Sequence, residues 1–136
     1  MTTKLDKLRP FLVLASRLML AQMFVISGTG MLNDPASTVG LIAAKGLPGS
    51  TVLVTSIGIL ELVAAAALIV GWRARWAAGG LLVFTVIASL LFHNFWVAPA
   101  TQQFMHQLLF MKNMAVAGGL LLVVALGAGA WSIDNR

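Results

Sequence analysis

Four long apolar runs alternate along the chain with short segments that are rich in glycine, proline and charged residues. A helix needs about 20 mostly apolar residues to cross the hydrocarbon core of a membrane, and each run reaches that length. The pattern therefore predicts an all-α fold, a bundle of four membrane-spanning helices in one domain covering residues 1–136. The predicted spans are approximately residues 11–32, 50–70, 76–97 and 108–130.

The composition agrees with a membrane protein and excludes several other classes. Hydrophobic residues make up 60% of the chain and charged residues only 10%, whereas soluble domains carry about 25% charged residues. The net charge of +5 does not indicate nucleic acid here, because the basic residues flank apolar runs, as is typical of contact with lipid headgroups. The chain has no cysteine, which excludes disulfides and a thiol redox relay. We therefore expect the lipid bilayer as its surroundings.

The distribution of basic residues predicts the orientation in the membrane. Four spans place both termini on one side. Six basic residues fall on that side, namely Lys4, Lys7, Arg9, Arg73, Arg75 and Arg136. The opposite side has Lys45, with Lys112 near the start of the fourth span. Because lysine and arginine are enriched in cytoplasmic loops, the sequence predicts that both termini are cytoplasmic.

Glu61 is the one charged residue within the second apolar run. A charge at that depth costs on the order of a few kcal/mol, so it needs a partner, a proton or a function. Counting about 1.5 Å per residue from the predicted span ends places Arg17 and Glu61 roughly 9 and 14 Å deep, within reach of one another. We predict either a buried Arg17–Glu61 ion pair that fixes helix register or a proton site at Glu61. The matched depths favour the pair.

A second group of polar and aromatic residues is predicted to meet on the side opposite the termini. It consists of His93, Trp96, Lys112 and Asn113. Trp96 and Lys112, taken singly, are typical of the belt at a membrane surface. His93 and Asn113 would face inward beneath that belt, and histidine can both donate and accept hydrogen bonds. We take all four as candidate ligand-binding residues.

No metal site is predicted. His93 and His106 are the histidines of the chain, and their spacing matches no standard metal motif. His106 lies in or beside the last loop, where it either contributes to the rim of a pocket or, as we favour, is ordinary loop polarity.

Short motifs along the chain resemble the DoxX family of small bacterial membrane proteins. The resemblance lies in Arg17-Leu18, Gly46-Leu47-Pro48, Glu61-Leu62, residues 71–78 (GWRARWAA), 92–96 (FHNFW), 111–115 (MKNMA), 118–120 (GGL), Ser132 and Asp134. Family members often carry a His-Gly pair and a lysine late in the first span. This chain has residues 27–31 (SGTGM) there, so no role of that histidine or lysine is carried over to it.

The resemblance implies a four-helix protein of the bacterial inner membrane. It also implies a link to redox chemistry, because related DoxD and DoxA chains belong to thiosulfate:quinone oxidoreductase. A quinone is therefore the expected cofactor or ligand. The expected partner is an oxidoreductase subunit or a second copy of the chain, since the sequence shows no redox centre of its own.

Two functions of different kinds remain open, and neither assigns a catalytic residue. The chain is either a membrane subunit of a redox-linked system that binds quinone or another small lipophilic ligand, or a non-enzymatic scaffold or accessory subunit. A small transporter or proton pathway is a third hypothesis. It is less favoured because four helices without an inverted repeat leave little room for alternating access.

Overall fold

The computed structural model describes residues 3–135, and this part of the chain is helical without a β-strand. Four helices are long and apolar enough to cross a membrane, as the hydrophobic pattern predicts. The helices are α1 (Lys4–Asn33), α2 (Pro35–Ala44), α3 (Thr51–Val70), α4 (Ala74–Phe92) and α5 (Ala100–Leu126), with 3-10 helices at Phe95–Val97 and Ile133–Asn135. Arg136, which was counted in the predicted charge bias, lies outside the described residues.

The first helix begins well before the predicted span. Thr3 and Asp6 form a capping box, in which the Asp6 carboxylate accepts a hydrogen bond from the Thr3 N–H (2.8 Å) and the Thr3 hydroxyl accepts one from the Asp6 N–H (3.3 Å). This box starts the helix at Lys4. Hydropathy identifies the part of a helix that lies in the membrane, whereas the capping box determines where the helix starts.

A short helix, α2, occupies the segment that the sequence analysis treated as a loop. The two residues that start it, Asp34 and Pro35, also mark the end of the preceding helix. Asp34 is the N-cap, with its carboxylate accepting from the Ser37 N–H (3.3 Å), and Pro35 is the first helical residue. Proline is favoured at that position because its missing N–H would have no partner there.

The last long helix is shifted relative to the predicted span. Pro99 is its N-cap, so α5 starts at Ala100 rather than near residue 108. It ends before Gly127, whose φ of +86° is favourable for glycine and breaks the helix. The apolar composition of residues 127–130 extended the predicted span beyond this glycine.

The long helices pack as two pairs. α1 lies along α3 and α4 lies along α5, while α3 and α4 join the pairs and α1 hardly touches α5. We call the end with the start of α1, the end of α5 and the α3–α4 turn the terminal end, and the opposite end the loop end. All four long helices contribute to an apolar core in the terminal half, made of Ala21, Phe24, Ala65, Leu68, Ala74, Ala78, Leu81, Leu120 and Val123, with Ala128 of the tail.

Two glycines allow α1 and α3 to come into direct contact. A Cβ atom on Gly28 would lie 2.8 Å from the Gly58 carbonyl oxygen and 2.9 Å from Leu62 Cγ. A Cβ on Gly58 would in turn lie 3.0 Å from the Gly28 carbonyl oxygen. Small residues drive this kind of close packing in membranes, where helices gain no hydrophobic energy by leaving lipid.

We expect Gly28→Ala to lower the free energy of unfolding by about 1–3 kcal/mol, the usual cost of overpacking. A backbone carbonyl opposes the new methyl group and cannot rotate away as a side chain would. Gly30→Ala is the matched control, because nothing lies within 4 Å of a Cβ there, and alanine favours the helix. Unfolding in mixed detergent micelles measures both variants. Equal stability of the two would contradict the close contact.

Candidate functional site

Arg17 is fully buried at the terminal end and binds main-chain carbonyls there. Its Nη1 donates to the carbonyl oxygens of Leu68 (3.1 Å) and Ile69 (3.0 Å), and its Nη2 donates to the carbonyl oxygen of Trp131. The last carbonyls of a helix have no partner inside it, and a cation beside them also complements the helix dipole. Arg17 therefore caps α3 and ties the C-terminal tail to it.

The tail is fixed from its other side by Asp134. The carboxylate accepts from the N–H groups of Arg73 (2.6 Å) and Ala74 (2.8 Å) at the start of α4. The Asp134 N–H donates to the Gly71 carbonyl oxygen (2.8 Å). A carboxylate here satisfies unpaired donors of a helix N-terminus. We call Arg17, Gly71, Trp131 and Asp134 the tail clasp.

Gly71 is required by the geometry of the tail clasp. Its φ is +70°, and a Cβ there would lie 2.5 Å from Arg17 Nη1 and even closer to Ser132. The turn thus has room for the guanidinium only because residue 71 has no side chain.

A second arginine caps a second helix at the same end. Arg75 Nη1 donates to the carbonyl oxygens of Val124 and Ala125, both at 2.7 Å, at the end of α5. The interactions of Arg17, Arg75 and Asp134 are therefore those of helix caps, which are structural roles.

Glu61 has surroundings of a different kind. It is 2% exposed and lies against α1, with its Cβ 3.3 Å from where a Gly28 Cβ would be and with Ser27 as a polar neighbour. Neither carboxylate oxygen has a hydrogen-bond partner among residues 3–135. The predicted Arg17–Glu61 ion pair is therefore not formed. The alternative, a proton site at Glu61, stays a prediction.

Helix geometry explains why the pair does not form. Gly28 is the α1 residue level with Glu61, and the eleven residues from Arg17 to Gly28 span about 16 Å. Side chains on a helix also incline towards its N-terminus. Since α1 and α3 are antiparallel, this rule inclines Arg17 towards the terminal end and Glu61 towards the loop end.

Two histidines meet at the loop end. The ring centroids of His93, which follows α4, and His106, in α5, lie 5.8 Å apart with a tilt of 40° between the rings. Each Nδ1 atom is buried without a hydrogen-bond partner in the described part of the chain. Lys45 donates to Asn94 Oδ1 (3.2 Å), and both Lys45 and Lys112 act electrostatically on His93. The loop end therefore gathers positive charge around two unpaired imidazoles.

An aromatic trio lies beside this cluster. Phe95, Trp96 and Phe110 pack edge to face, with centroids 5.3 to 5.7 Å apart. This arrangement is favourable for aromatic rings and gives the loop end a rigid apolar wall. His93, His106, Lys45, Lys112 and the trio make up what we call the loop-end cluster.

The structure brings only part of the predicted ligand set together. His93 and Lys112 belong to the loop-end cluster, and Trp96 reaches it through the aromatic trio. Asn113 is 8% exposed and belongs to the interior of the bundle. His106 was not among the predicted ligand residues, because the predicted fourth span began only at residue 108 and left His106 in a loop. Pro99 was the signal for the earlier helix start.

Neither end gathers the side chains of a metal centre. Among residues 3–135 no group of three or more histidine, aspartate or glutamate side chains lies close enough to hold a metal ion. The polar side chains that the loop-end cluster presents are two imidazoles and two lysines.

A cavity of about 820 Å³ opens between α1 and α5 at the terminal end, where the two helices separate. Apolar side chains such as Val13, Leu20 and Leu122 line it, with Arg9 and Arg75 among its polar residues. It provides a second place where a lipophilic molecule could enter the bundle.

Four apolar helices with ionisable side chains buried among them define a small polytopic membrane protein. The chain belongs to the DoxX family, whose sequence profile matches residues 12–94. This match runs from α1 to the residues just after α4, so His106 and Lys112 of α5 lie beyond it.

Relatives share most of this length. Inner membrane protein YqjF of Escherichia coli is 31% identical over 96% of this chain and 95% of its own. Inner membrane protein YphA of Escherichia coli is 27% identical, over 94% of this chain and 91% of its own. The Surfeit locus protein 4 homolog of Schizosaccharomyces pombe is 26% identical, and the match covers 94% of this chain but 38% of that longer protein. No solved structure matches the chain significantly.

Proposed function

We propose that this protein is a membrane subunit of a redox-linked system that binds a quinone, or another small lipophilic molecule with an oxygen-bearing head, at the loop-end cluster. The observation that carries the proposal is the pair of buried Nδ1 atoms without partners on His93 and His106. A ligand site typically combines apolar walls with a few converging polar groups, and the aromatic trio supplies such a wall.

Each part of the loop-end cluster has a role in this proposal. The Nδ1–H groups of His93 and His106 each donate a hydrogen bond to an oxygen of the ligand head. Lys45 and Lys112 place positive charge near that oxygen, which favours a head group that gains negative charge. Phe110 and Trp96 pack against the ring. Electrons are exchanged with a partner oxidoreductase subunit.

We further propose that the terminal end faces the cytoplasm, in the inner membrane of a bacterium. The basic residues of the terminal end support this orientation, since positive charge is enriched on the cytoplasmic side. The inner-membrane names of the two Escherichia coli relatives support the location.

Quinone binding to the purified protein in lipid nanodiscs tests the site. We expect His93→Ala and His106→Ala each to raise the Kd about tenfold, which corresponds to the loss of one hydrogen bond worth about 1.4 kcal/mol. Leu122→Trp, which fills the α1–α5 cavity far from the histidines, is the control and should leave the Kd unchanged.

Two results would overturn the proposed site. Binding that is unaffected in both histidine variants removes the loop-end cluster from consideration. Binding that is lost only in Leu122→Trp places the ligand in the α1–α5 cavity instead.

A scaffold or accessory subunit is the second candidate function. It is favoured by the terminal end, where buried and capping polar groups serve the fold and large aromatic residues remain exposed. Trp72 is 51% and Trp76 80% exposed, and the Arg73 guanidinium lies 5.9 Å from the Trp72 ring centroid. Co-purification of a stoichiometric partner with no bound small molecule would support this function over ligand binding.

A further inference from the structure

The buried polar side chains are distributed unevenly between the two ends of the bundle. Apart from Arg17 in the tail clasp, they are Glu61, Thr85, Ser89 and Asn113. They lie between the middle of the bundle and the loop end. The terminal half is filled by the apolar core and closed by the tail clasp. The interior is therefore polar towards one end and apolar towards the other.

Thr85 and Ser89 on one face of α4, followed by His93 just after the end of the helix, form a polar ladder. They are spaced by four residues, so successive members are about 6 Å apart along the helix axis. The hydroxyls of Thr85 and Ser89 donate to the carbonyl oxygens of Leu81 (2.7 Å) and Thr85 (2.6 Å). A hydroxyl that donates still has lone pairs to accept with. The ladder thus offers acceptors from mid-membrane to the loop-end cluster.

Glu61 lies at the inner end of this ladder. Glu61 precedes Gly71 by ten residues in α3, and α4 runs back antiparallel from the turn at Gly71. Glu61 is therefore at about the same level along the bundle as Thr85 of α4. Its side chain inclines towards the loop end by the general rule for helices. Its two oxygens lack partners in the described chain, as expected for a carboxyl whose partners are a proton and water.

The helices packed against α3 bring polar but uncharged side chains towards Glu61, namely Ser27 from α1 and Thr85 and Ser89 from α4. Asn113 of α5, the helix that packs against α4, is a further buried polar residue on the loop-end side. The titratable side chains of the loop end lie further along, and they are Asp34, Lys45, His93, His106 and Lys112. At the other end Arg17 is bound to carbonyl oxygens.

We propose that Glu61 is a proton-binding site that exchanges its proton with water at the loop end only, along Thr85, Ser89 and Asn113. The carboxylate gains a proton from loop-end water to form an O–H bond, and release returns the proton the same way. The apolar core and the tail clasp block exchange with the terminal end. The inference rests on the proposed function only in relating this proton to the loop-end cluster; it does not require that the ligand be a quinone.

Labelling of the wild-type protein by dicyclohexylcarbodiimide, which reacts with protonated carboxyls in apolar surroundings, tests the exchange. The protein is reconstituted in one orientation in vesicles, the pH is set separately on each side, and mass spectrometry locates the label. Because the protonated fraction of an acid falls about tenfold per pH unit above its pKa, Glu61 labelling should fall steeply as the loop-end pH rises. Labelling that follows the terminal-end pH, or neither pH, overturns the proposal. Glu61→Gln is the control for label position.

Cysteine accessibility gives a second measurement, and the absence of native cysteine makes any introduced thiol unique. We expect Ser89→Cys and Asn113→Cys to react with a small membrane-impermeant thiol reagent added at the loop end. Ala65→Cys, one helical turn from Glu61 towards the terminal end, is as fully buried as Ser89 but lies in the apolar core instead of the polar ladder, so it should react from neither end. Equal reactivity of Ala65→Cys and Ser89→Cys contradicts the proposal. Loss of quinone binding would leave both measurements unaffected, so the two failures are distinguishable.

Discussion

Replacing Arg17 with alanine is expected to lower the free energy of unfolding by at least about 3 kcal/mol, because three carbonyl oxygens lose their donor and each buried unsatisfied group costs about 1–3 kcal/mol. The carbonyls belong to Leu68, Ile69 and Trp131, so the loss affects both the end of α3 and the tail. Thermal unfolding in detergent, followed by aggregation or by near-ultraviolet circular dichroism, measures the effect.

Two further variants separate this role from a general need for positive charge. Arg9→Ala removes an exposed arginine from the same helix and should have little effect. Arg17→Lys keeps the charge but lacks the planar fork that bonds several carbonyls at once, so its stability should fall between those of the wild type and Arg17→Ala. If Arg17→Ala and Arg9→Ala unfold at the same temperature, the tail clasp does not stabilise the bundle.

Replacing Glu61 with methionine is expected to raise the free energy of unfolding by about 1–3 kcal/mol, the cost of burying an unsatisfied polar group. Methionine has a similar volume, and among residues 3–135 the Glu61 oxygens make no hydrogen bond that the substitution would break. Urea or sodium dodecyl sulfate titration in mixed micelles measures the change. A stabilising substitution at a buried residue is unusual and indicates that the native side chain is kept for function.

Leu62→Met, at the neighbouring position of α3, controls for the effect of introducing methionine itself. Leu62 packs close to Gly28, so this volume-conserving change should be neutral or slightly destabilising. A destabilised Glu61→Met would mean that the carboxyl makes a structural interaction, and the proton-site proposal would lose its basis.

The hydrophobic pattern of the sequence was sufficient to predict the four spans, because lipid imposes a length and a composition on any helix that crosses it. Helix ends were predicted less well. The Thr3–Asp6 capping box, Asp34-Pro35 and Pro99 all lie in polar or mixed segments that hydropathy does not assign. These capping residues are visible in the sequence, and they indicate the presence of α2 and the start of α5.

The sequence was sufficient to identify most candidate site residues but not the groups that they contact. Arg17, Glu61 and His93 stand out in a sequence because ionisable groups are rare in apolar runs. Arg17 binds the carbonyl oxygens of Leu68 and Ile69, and His93 packs against a histidine of another helix. Main-chain carbonyls are present at every residue, so composition cannot identify them as partners. Side chains of antiparallel helices also incline in opposite directions. The order of the predicted spans already implies this for Arg17 and Glu61, so their separation could have been predicted from the sequence.

A double-mutant cycle between Arg17→Ala and Glu61→Met measures whether the two residues interact. Arg17 belongs to the tail clasp, whereas Glu61 belongs to the polar interior towards the loop end. We therefore expect the two changes in unfolding free energy to have opposite signs and to add within about 0.5 kcal/mol, as is usual for distant sites. A coupling energy well above about 1 kcal/mol, with both single variants destabilised, would instead show that Arg17 and Glu61 form a buried ion pair.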